Sequence, residues 1–141
     1  MYHKNLQAYK KQNLQADLSV ADPHRVIQLM MQGVLERLAL AKGAISRRDF
    51  EVKSVAISKA QELLIGLQNG LDLSQGKIAE DLYALYDYMK DRLWVASSKL
   101  DIDAIDEVVT LMLTIKSGWD QIPEADKQQG FAKRKELGEP K

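Results

Sequence analysis

The residues best suited to chemistry in this sequence are its two histidines, His3 and His24. A di-iron site in a helical bundle needs Glu-x-x-His pairs that point inward, and the sequence contains no such pair. Neither histidine has a second ligand at helical spacing, so we interpret both as solvated surface residues. A phosphotransfer histidine would lie exposed in the middle of a helix, whereas His24 falls in a first turn. We therefore predict no metal site and no phosphotransfer site.

Other catalytic patterns are also missing from the sequence. The chain has no cysteine, which excludes disulfides, thiolate nucleophiles and zinc–thiolate sites. Its eight glycines are scattered and form no phosphate-binding loop of the Gly-x-x-x-x-Gly-Lys type. Ser97 and Ser98 have no nearby base from which a catalytic triad could be assembled. Two acidic pairs are interpreted as charges that favour helix starts: Glu80-Asp81 and Asp106-Glu107. We predict that the protein is not an enzyme and uses no cofactor.

Composition favours a single soluble domain. A chain of 141 residues is long enough to bury a core. Twenty basic residues balance twenty acidic ones, so bulk charge gives no argument for binding nucleic acid or an anionic membrane. No apolar run approaches the roughly 18 residues of a membrane span, and the first residues lack the apolar core of a secretory signal. We expect a cytoplasmic protein without membrane insertion.

Charge is distributed unevenly along the chain. Residues 1–48 contain eight basic and three acidic side chains, a net of +5, and residues 101–123 contain one basic and five acidic, a net of −4. This asymmetry has two interpretations. It is either ordinary variation of a solvated surface, or it makes the two ends attract each other or steer a charged partner.

Four segments show apolar residues spaced three and four apart, the pattern of amphipathic helices. The first begins at Asp22-Pro23, where Asp can cap the helix and Pro suits its first position, and ends near Arg48. The others are predicted at about 51–71, from Ser74 or Gln75 to 98, and from Asp101 or Asp103, either of which can cap the helix, to about 120. Long helices with short connections must pack antiparallel, so we predict an all-α fold, an up-down-up-down four-helix bundle. The predicted core seams are Ile27, Met31, Val34, Leu38, Ala41 and Ile45; Val52, Ala56, Ala60, Leu63 and Leu67; Ile78, Leu82, Leu85, Met89, Leu93 and Ala96; and Ile105, Val108, Met112, Ile115 and Trp119.

Two segments flank the predicted bundle of residues 22–122. Residues 1–21 are polar with scattered apolar side chains and no lasting period, which predicts a mobile N-terminal arm with room for one short extra helix. Residues 123–141 are polar and charged, which predicts a disordered tail.

Two helices carry more apolar residues than one core seam needs. At 100° per residue, with Leu82 at zero, Tyr86 lies at about 40°, Tyr83 at about 100° and Trp94 at about 120°. The second helix has a set that recurs every seven residues beside its seam: Ile57, Leu64 and Leu71. One interpretation is a wide bundle corner where aromatic residues keep their polar atoms in water. The other is an exposed apolar groove that accommodates an amphipathic segment of a partner, with apolar residues of the arm covering it in the free protein.

The ordered motifs of the chain resemble those of one family. They are Ala8-Tyr9, the helix start Ala21-Asp22-Pro23, the segments VIQLMMQGVLERLALAKGAI and SKAQELLIGLQNGLD, the segment LYALYDYMKDRLWVAS, and a last helix that ends in Trp119. The third of these segments closely matches a Leu-Tyr-x-Tyr-Met…Arg-Leu signature. Together the motifs cover roughly residues 2–122, in order and at the right spacing. The chain resembles the flagellar secretion chaperone FliS family.

This resemblance implies a cytoplasmic, non-enzymatic chaperone built as an antiparallel helical bundle that uses no nucleotide. It implies that the partner is the disordered C-terminal segment of flagellin, which the chaperone holds unpolymerised and presents to the export gate protein FlhA. We expect a monomer or a weak homodimer that binds one guest. The alternative is a structural or signalling four-helix module, such as one half of an obligate helical dimer.

The resemblance also indicates binding residues. Tyr9 matches the arm tyrosine of the family, and Ile57 lies in the helix where the family has an apolar contact residue. Combined with the residue pattern, the predicted flagellin-binding set is Tyr9, Leu14, Ile57, Leu64, Leu71, Tyr83, Tyr86 and Trp94. The chain departs from the family pattern at Met31-Gln32-Gly33, where an aromatic residue and Asp-Gly are usual, and at Ser97, near a frequent Asn.

Overall fold

The computed structural model describes residues 22–122. They form α1 (Pro23–Ser46), α2 (Phe50–Asn69), a 3-10 turn (Leu73–Gln75), α3 (Lys77–Lys99) and α4 (Ile102–Asp120). Each helix packs against the next, and α4 returns to pack against α1. The four helices therefore form a closed antiparallel ring, which confirms the predicted all-α four-helix bundle. The arm, the tail and the limits assigned to them lie outside the described residues.

Aspartates start three of the four helices. The carboxylates of Asp22, Asp49 and Asp101 accept hydrogen bonds from backbone N–H groups in the first turns of α1, α2 and α4, at 2.8, 3.3 and 3.2 Å. Each satisfies a donor that has no partner within its own helix. The predicted start of α3 at Ser74 is wrong. Ser74 belongs to the 3-10 turn, and Gly76, with φ of +105°, directly precedes α3 in a conformation that suits glycine.

The core consists of apolar residues from all four helices, and most of the predicted seam positions are buried or pack against it. The largest fully buried side chains are Val34, Leu38, Leu64, Tyr86, Met89, Leu93, Ile105, Val108 and Met112. Ile78 is the most exposed of the predicted seam positions, at 78%. The helical period gives the direction of a side chain, but only the length of the neighbouring helices decides whether that direction is covered. Ile78 lies in the first turn of α3, where the described residues leave it open.

Glycines bring α1 and α2 close together. A Cβ atom at Gly33 would lie 3.0 Å from Leu63 Cδ1, and one at Gly66 would lie 2.5 Å from Met30 Cε. Any larger residue would force these side chains to shift. The backbones of α1 and α2 are therefore close enough for apolar side chains of each helix to pack directly on a glycine of the other.

Candidate partner-binding surface

The predicted binding residues lie at different depths. Trp94 is 69% exposed and Tyr83 is 38% exposed, so both are on the outside of α3. Ile57 and Leu64 are buried in the core, and their predicted place on an outer stripe is wrong. The reason is that α2 packs between α1 and α3, and both neighbours cover a wide sector of its surface.

Tyr86 and Leu71 are both less exposed than the prediction of an outer stripe requires. Tyr86, predicted to bridge the seam and the outer face, is buried, and burial raises its pKa to about 12. Leu71 is partly buried and packs against the core. Tyr9 and Leu14 lie outside the described residues. The binding roles of all eight residues stay predictions, and within residues 22–122 only Tyr83 and Trp94 of this set offer large exposed surfaces.

The side of α3 that carries Tyr83 borders α2 through polar contacts. Gln68 Nε2 donates to the Tyr83 carbonyl at 3.0 Å and to Asp87 Oδ1 at 2.8 Å. Residues 83, 87, 90 and 94 share one face because they are spaced by four, three and four. Trp94 therefore belongs to the same side of α3 as Tyr83, and Ile65 of α2 is a further exposed apolar side chain.

A second apolar area lies between α1 and α2, and the sequence reasoning missed it. Leu40 and Val55 are exposed apolar residues at a shallow hollow of about 340 Å³. Its full lining is Arg37, Leu40, Glu51, Val52, Val55 and Ala56. The available signal was that Leu40 and Val55 lie off the core seams. The hollow offers an apolar floor with one charge of each sign, which suits apolar side chains of a partner.

The acidic pair near the start of α4 does more than favour a helix start, which corrects the sequence interpretation. Arg92 Nε donates to Glu107 Oε1 at 2.6 Å, and the Tyr88 hydroxyl donates to Glu107 Oε2. These hydrogen bonds, first from Tyr88 and then from Arg92, lower the pKa of Glu107. Asp106 pairs with Lys42 of α1 at 2.6 Å. The two carboxylates therefore link α4 to both of its neighbours.

His24 is not the solvated residue that the sequence analysis expected, because only 2% of its surface is exposed. Its ring stacks on Trp119, and its Nε2 lies 2.8 Å from the Trp119 carbonyl oxygen. A carbonyl only accepts, so Nε2 carries the proton and donates. The Trp119 indole Nε1 donates in return to the His24 carbonyl at 3.0 Å. Sequence spacing could not show a partner 95 positions away.

The described residues 22–122 show neither a metal-ligand cluster nor a membrane-spanning helix. No three or more His, Cys, Asp or Glu side chains are grouped in this part of the chain so that they could hold a metal ion. In the same residues, no helix combines the length and apolarity that crossing a membrane requires.

Comparison with known proteins identifies the family of this chain. The family model described as "Flagellar protein FliS" matches residues 5–126. The chain belongs to the FliS family. It is 44% identical over 120 residues to the flagellar secretion chaperone FliSB of Pseudomonas aeruginosa, covering 84% of this chain and 95% of that protein. It is 39% identical over 120 residues to flagellar secretion chaperone FliS of Vibrio cholerae (84% and 88% covered) and 35% identical over 127 residues to that of Salmonella typhimurium (88% and 94% covered).

This membership confirms the resemblance that the motifs indicated. It gives the general role of the chain as a flagellar secretion chaperone. The structure also locates the departures from the expected FliS pattern. Gln32 is exposed, and its side chain donates a hydrogen bond within α1 to Glu36 at 3.4 Å. Gly33 lies at the close approach to α2. Ser97 accepts a hydrogen bond from Lys53 of α2, so this position joins two helices of the FliS bundle.

Proposed function

We propose that this protein is a cytoplasmic export chaperone that binds the disordered C-terminal segment of flagellin. It holds that segment unpolymerised and presents it to the export gate protein FlhA. The observation that carries the proposal is the family match over residues 5–126, together with relatives named flagellar secretion chaperones. The role requires binding and release, with no bond made or broken in the guest.

The distribution of exposed apolar residues supports an extended guest. Large exposed apolar side chains occur on every helix of the bundle, and those within the helices are Leu40, Phe50, Val55, Ile65, Ile78, Tyr83, Tyr88, Trp94 and Leu113. A single compact ligand would need one enclosed pocket. A disordered segment that folds on binding can instead wrap a large surface and place apolar residues at several separate points. Open, shallow apolar areas such as the hollow beside Leu40 and Val55 suit that mode of binding.

In this proposal the predicted binding residues have different roles, which for residues 22–122 follow from their exposure. Tyr83 and Trp94 contact the guest directly through their exposed faces. Ile57, Leu64 and Tyr86 lie beneath the surface and support its shape from the core. Tyr9 and Leu14 of the arm are proposed to cover apolar surface in the free chaperone until the guest displaces them.

Calorimetric titration with a peptide of the last ~40 residues of the host flagellin tests the proposal, since coupled folding is expected to bury a large interface. We expect heat release with a negative heat-capacity change, and one peptide bound per chain. A peptide of the same composition in scrambled order is the control, because it keeps charge and hydrophobicity but loses the pattern. Absence of heat and of any mobility change on a native gel would contradict the proposal.

The alternative of an obligate helical dimer is tested on the same sample. Sedimentation of the free protein over a wide concentration range should show a monomer or a weak dimer. A stable dimer whose melting temperature rises with concentration and which ignores the peptide would favour the alternative.

A further inference from the structure

Three side chains of α2 donate hydrogen bonds to main-chain carbonyls of α3. Lys53 Nζ donates to the Ser97 carbonyl at 3.0 Å, Gln61 Nε2 to the Lys90 carbonyl at 3.3 Å, and Gln68 Nε2 to the Tyr83 carbonyl at 3.0 Å. The three donors are eight and seven residues apart along α2. Their acceptors are seven and seven residues apart along α3, in the reverse order. We call Lys53, Gln61 and Gln68 the α2–α3 ladder. Its spacing is that of two antiparallel helices in a single register.

The middle member of the ladder does not select that register. An α-helix presents a carbonyl on a given face about every 3.6 residues. If α3 slipped by one turn, Gln61 would find the carbonyl of a neighbouring turn in place of that of Lys90. Each carbonyl has a second lone pair free for such a bond. Gln61 therefore contributes a hydrogen bond that survives a slip.

Lys53 does distinguish the observed register from a slipped one, because its acceptors lie at the end of α3. Its side chain is largely buried, with 9% of the residue exposed, and Nζ also lies 3.3 Å from Ser97 Oγ. Ser97 is one of the last four residues of α3, whose carbonyls lack a partner within the helix and carry partial negative charge. A slip by four residues in one direction would carry Lys53 past Lys99, the last residue of α3. The same slip in the other direction would place it beside Leu93, inside the helix. There Lys53 would keep at most a carbonyl acceptor and would lose both the Ser97 hydroxyl and the partial negative charge of the helix end.

Gln68 disfavours a slip of α3 in one of the two directions. Besides the carbonyl it bonds Asp87 Oδ1 at 2.8 Å, and that hydrogen bond is the main cause of the lowered pKa of Asp87. A slip of four residues one way would replace Asp87 by Tyr83, which has no carboxylate. The opposite slip would bring Asp91, which Gln68 could bond, but that slip is the one that carries Lys53 past the end of α3. Together the two outer members exclude both slips.

The apolar seams would not exclude a slip by themselves. Residues such as Ile57 and Leu64 recur at helical spacing on α2, as Met89 and Leu93 do on α3, so a one-turn displacement still places apolar against apolar. Buried polar groups with specific partners are one known way in which helical proteins select a register. We propose that Lys53 and Gln68 set the register of α2 against α3 and thereby position Tyr83 and Trp94 on the outer surface. The effect on guest binding rests on the proposed function, whereas the register itself does not.

The register can be measured because the chain has no native cysteine. Cysteines introduced at Asn69 and Ser98, both exposed, place spin labels near opposite ends of the α2–α3 pair. A slip along the axis then changes their separation almost in full, and one turn is about 5.4 Å. Pulsed dipolar spectroscopy is carried out on the parent, on Lys53→Met with Gln68→Met, on each single variant, and on Gln61→Met as the matched control. Lys53→Arg is the conservative replacement that keeps a charged donor.

We expect the parent, Gln61→Met and Lys53→Arg to show one narrow distance distribution. The double variant should show a second population displaced by about one turn. If the double variant loses its helical circular dichroism, the single variant Gln68→Met decides, with the displaced population present at a lower fraction. A distribution that stays at the parent distance in the folded variants overturns the inference. So does a displacement in Gln61→Met equal to that of the double variant.

The same proteins are titrated with the flagellin peptide. We expect the affinity of the double variant to fall about tenfold, equivalent to about 1.4 kcal/mol, and that of Gln61→Met to stay within about twofold. A displaced register with unchanged affinity would overturn the positioning of Tyr83 and Trp94. A parent protein that binds no peptide, with the register displaced as expected, would overturn the proposed function and leave the register assignment standing.

Discussion

The imidazole of His24 stacks on the indole of Trp119 with ring centroids 4.7 Å apart and an interplanar angle of 7°. Two reciprocal hydrogen bonds accompany the stacking, each from a ring N–H to the other residue's carbonyl. Together they join the first turn of α1 to the last turn of α4. Because helices tend to fray at their ends, this contact closes the ring of helices where it would otherwise open first.

Replacing Trp119 by Phe should destabilise the protein by about 1 kcal/mol or more, because one aromatic ring is kept while the indole N–H donor to the His24 carbonyl and part of the stacked area are lost. Chemical denaturation followed by far-UV circular dichroism measures the change. Trp94→Phe is the matched control at an exposed site, where we expect a change within about 0.5 kcal/mol. Equal effects of the two replacements would show that the contact between His24 and Trp119 adds no stability.

Ile57→Asp should unfold the protein, whereas Trp94→Asp should leave it folded. Ile57 is buried among apolar residues of the core, so a carboxylate there has no partner, and we expect loss of the helical signal. Trp94 is exposed, so Trp94→Asp should keep the fold while weakening the binding of the flagellin peptide. Circular dichroism and calorimetry on both variants measure the two effects. A folded Ile57→Asp protein would contradict the burial of this residue.

Arg48 adopts a left-handed backbone conformation, with φ of 59°, in the turn between α1 and α2. Side chains with a Cβ atom disfavour this region by about 1–2 kcal/mol, and glycine does not. Because Arg48 is exposed, we expect Arg48→Gly to raise the stability by about 1 kcal/mol, seen as a higher urea midpoint at constant slope. The neighbouring Arg47 has φ of −89°. Arg47→Gly should therefore bring no gain, and an equal gain at both positions would refute the explanation.

Stability should fall in acid partly through Glu107. Hydrogen bonds, first from Tyr88 and then from Arg92, lower the pKa of Glu107 below its ordinary value of 4.5. A lowered pKa in the folded state contributes stability that is present above the unfolded-state pKa and is lost as pH falls through the folded-state pKa. Glu107→Gln should therefore be less stable than the parent near pH 7. The difference should shrink as pH falls below 4.5 and through the lowered folded-state pKa, where the parent's carboxylate becomes protonated.

Urea denaturation of both proteins at several pH values measures this difference. Asp103→Asn is the control, because Asp103 is an exposed carboxylate in the first turn of the same helix. A stability difference between parent and Glu107→Gln that does not change between pH 7 and pH 3 would contradict the assignment.

The stability of the protein should also depend on Tyr88 at alkaline pH. Its hydrogen bond to Glu107 is the main cause of its raised pKa, so its contribution is complete below the unfolded-state value of 10.0 and is lost as pH rises through the folded-state pKa. Tyr88→Phe should reduce the alkaline loss of stability and leave the part that belongs to the buried Tyr86, which denaturation between pH 8 and pH 11 measures. An unchanged alkaline profile in Tyr88→Phe would assign the dependence to other groups.

The helices and most of the core could be predicted from the sequence. The steps of three and four from Ile27 to Ile45, the caps Asp22 and Asp101, and the seam from Ile105 to Trp119 all appear in the structure where the pattern indicated. These features depend on interactions within one helix or within a few residues of chain, so local spacing is sufficient to reveal them. The ordered motifs likewise indicated the family before the fold was known.

Only the tertiary structure decided which apolar residues face outward. Ile57, Leu64 and Tyr86 are covered because helices on two sides reach them, and Ile78 is open although it continues a core seam. His24 is buried by a tryptophan 95 positions away, and Lys53 is held at the far end of α3. A sequence specifies the direction of each side chain on its own helix, whereas exposure depends on how far the neighbouring helices extend and how closely they approach. That depends on contacts between segments distant in the chain.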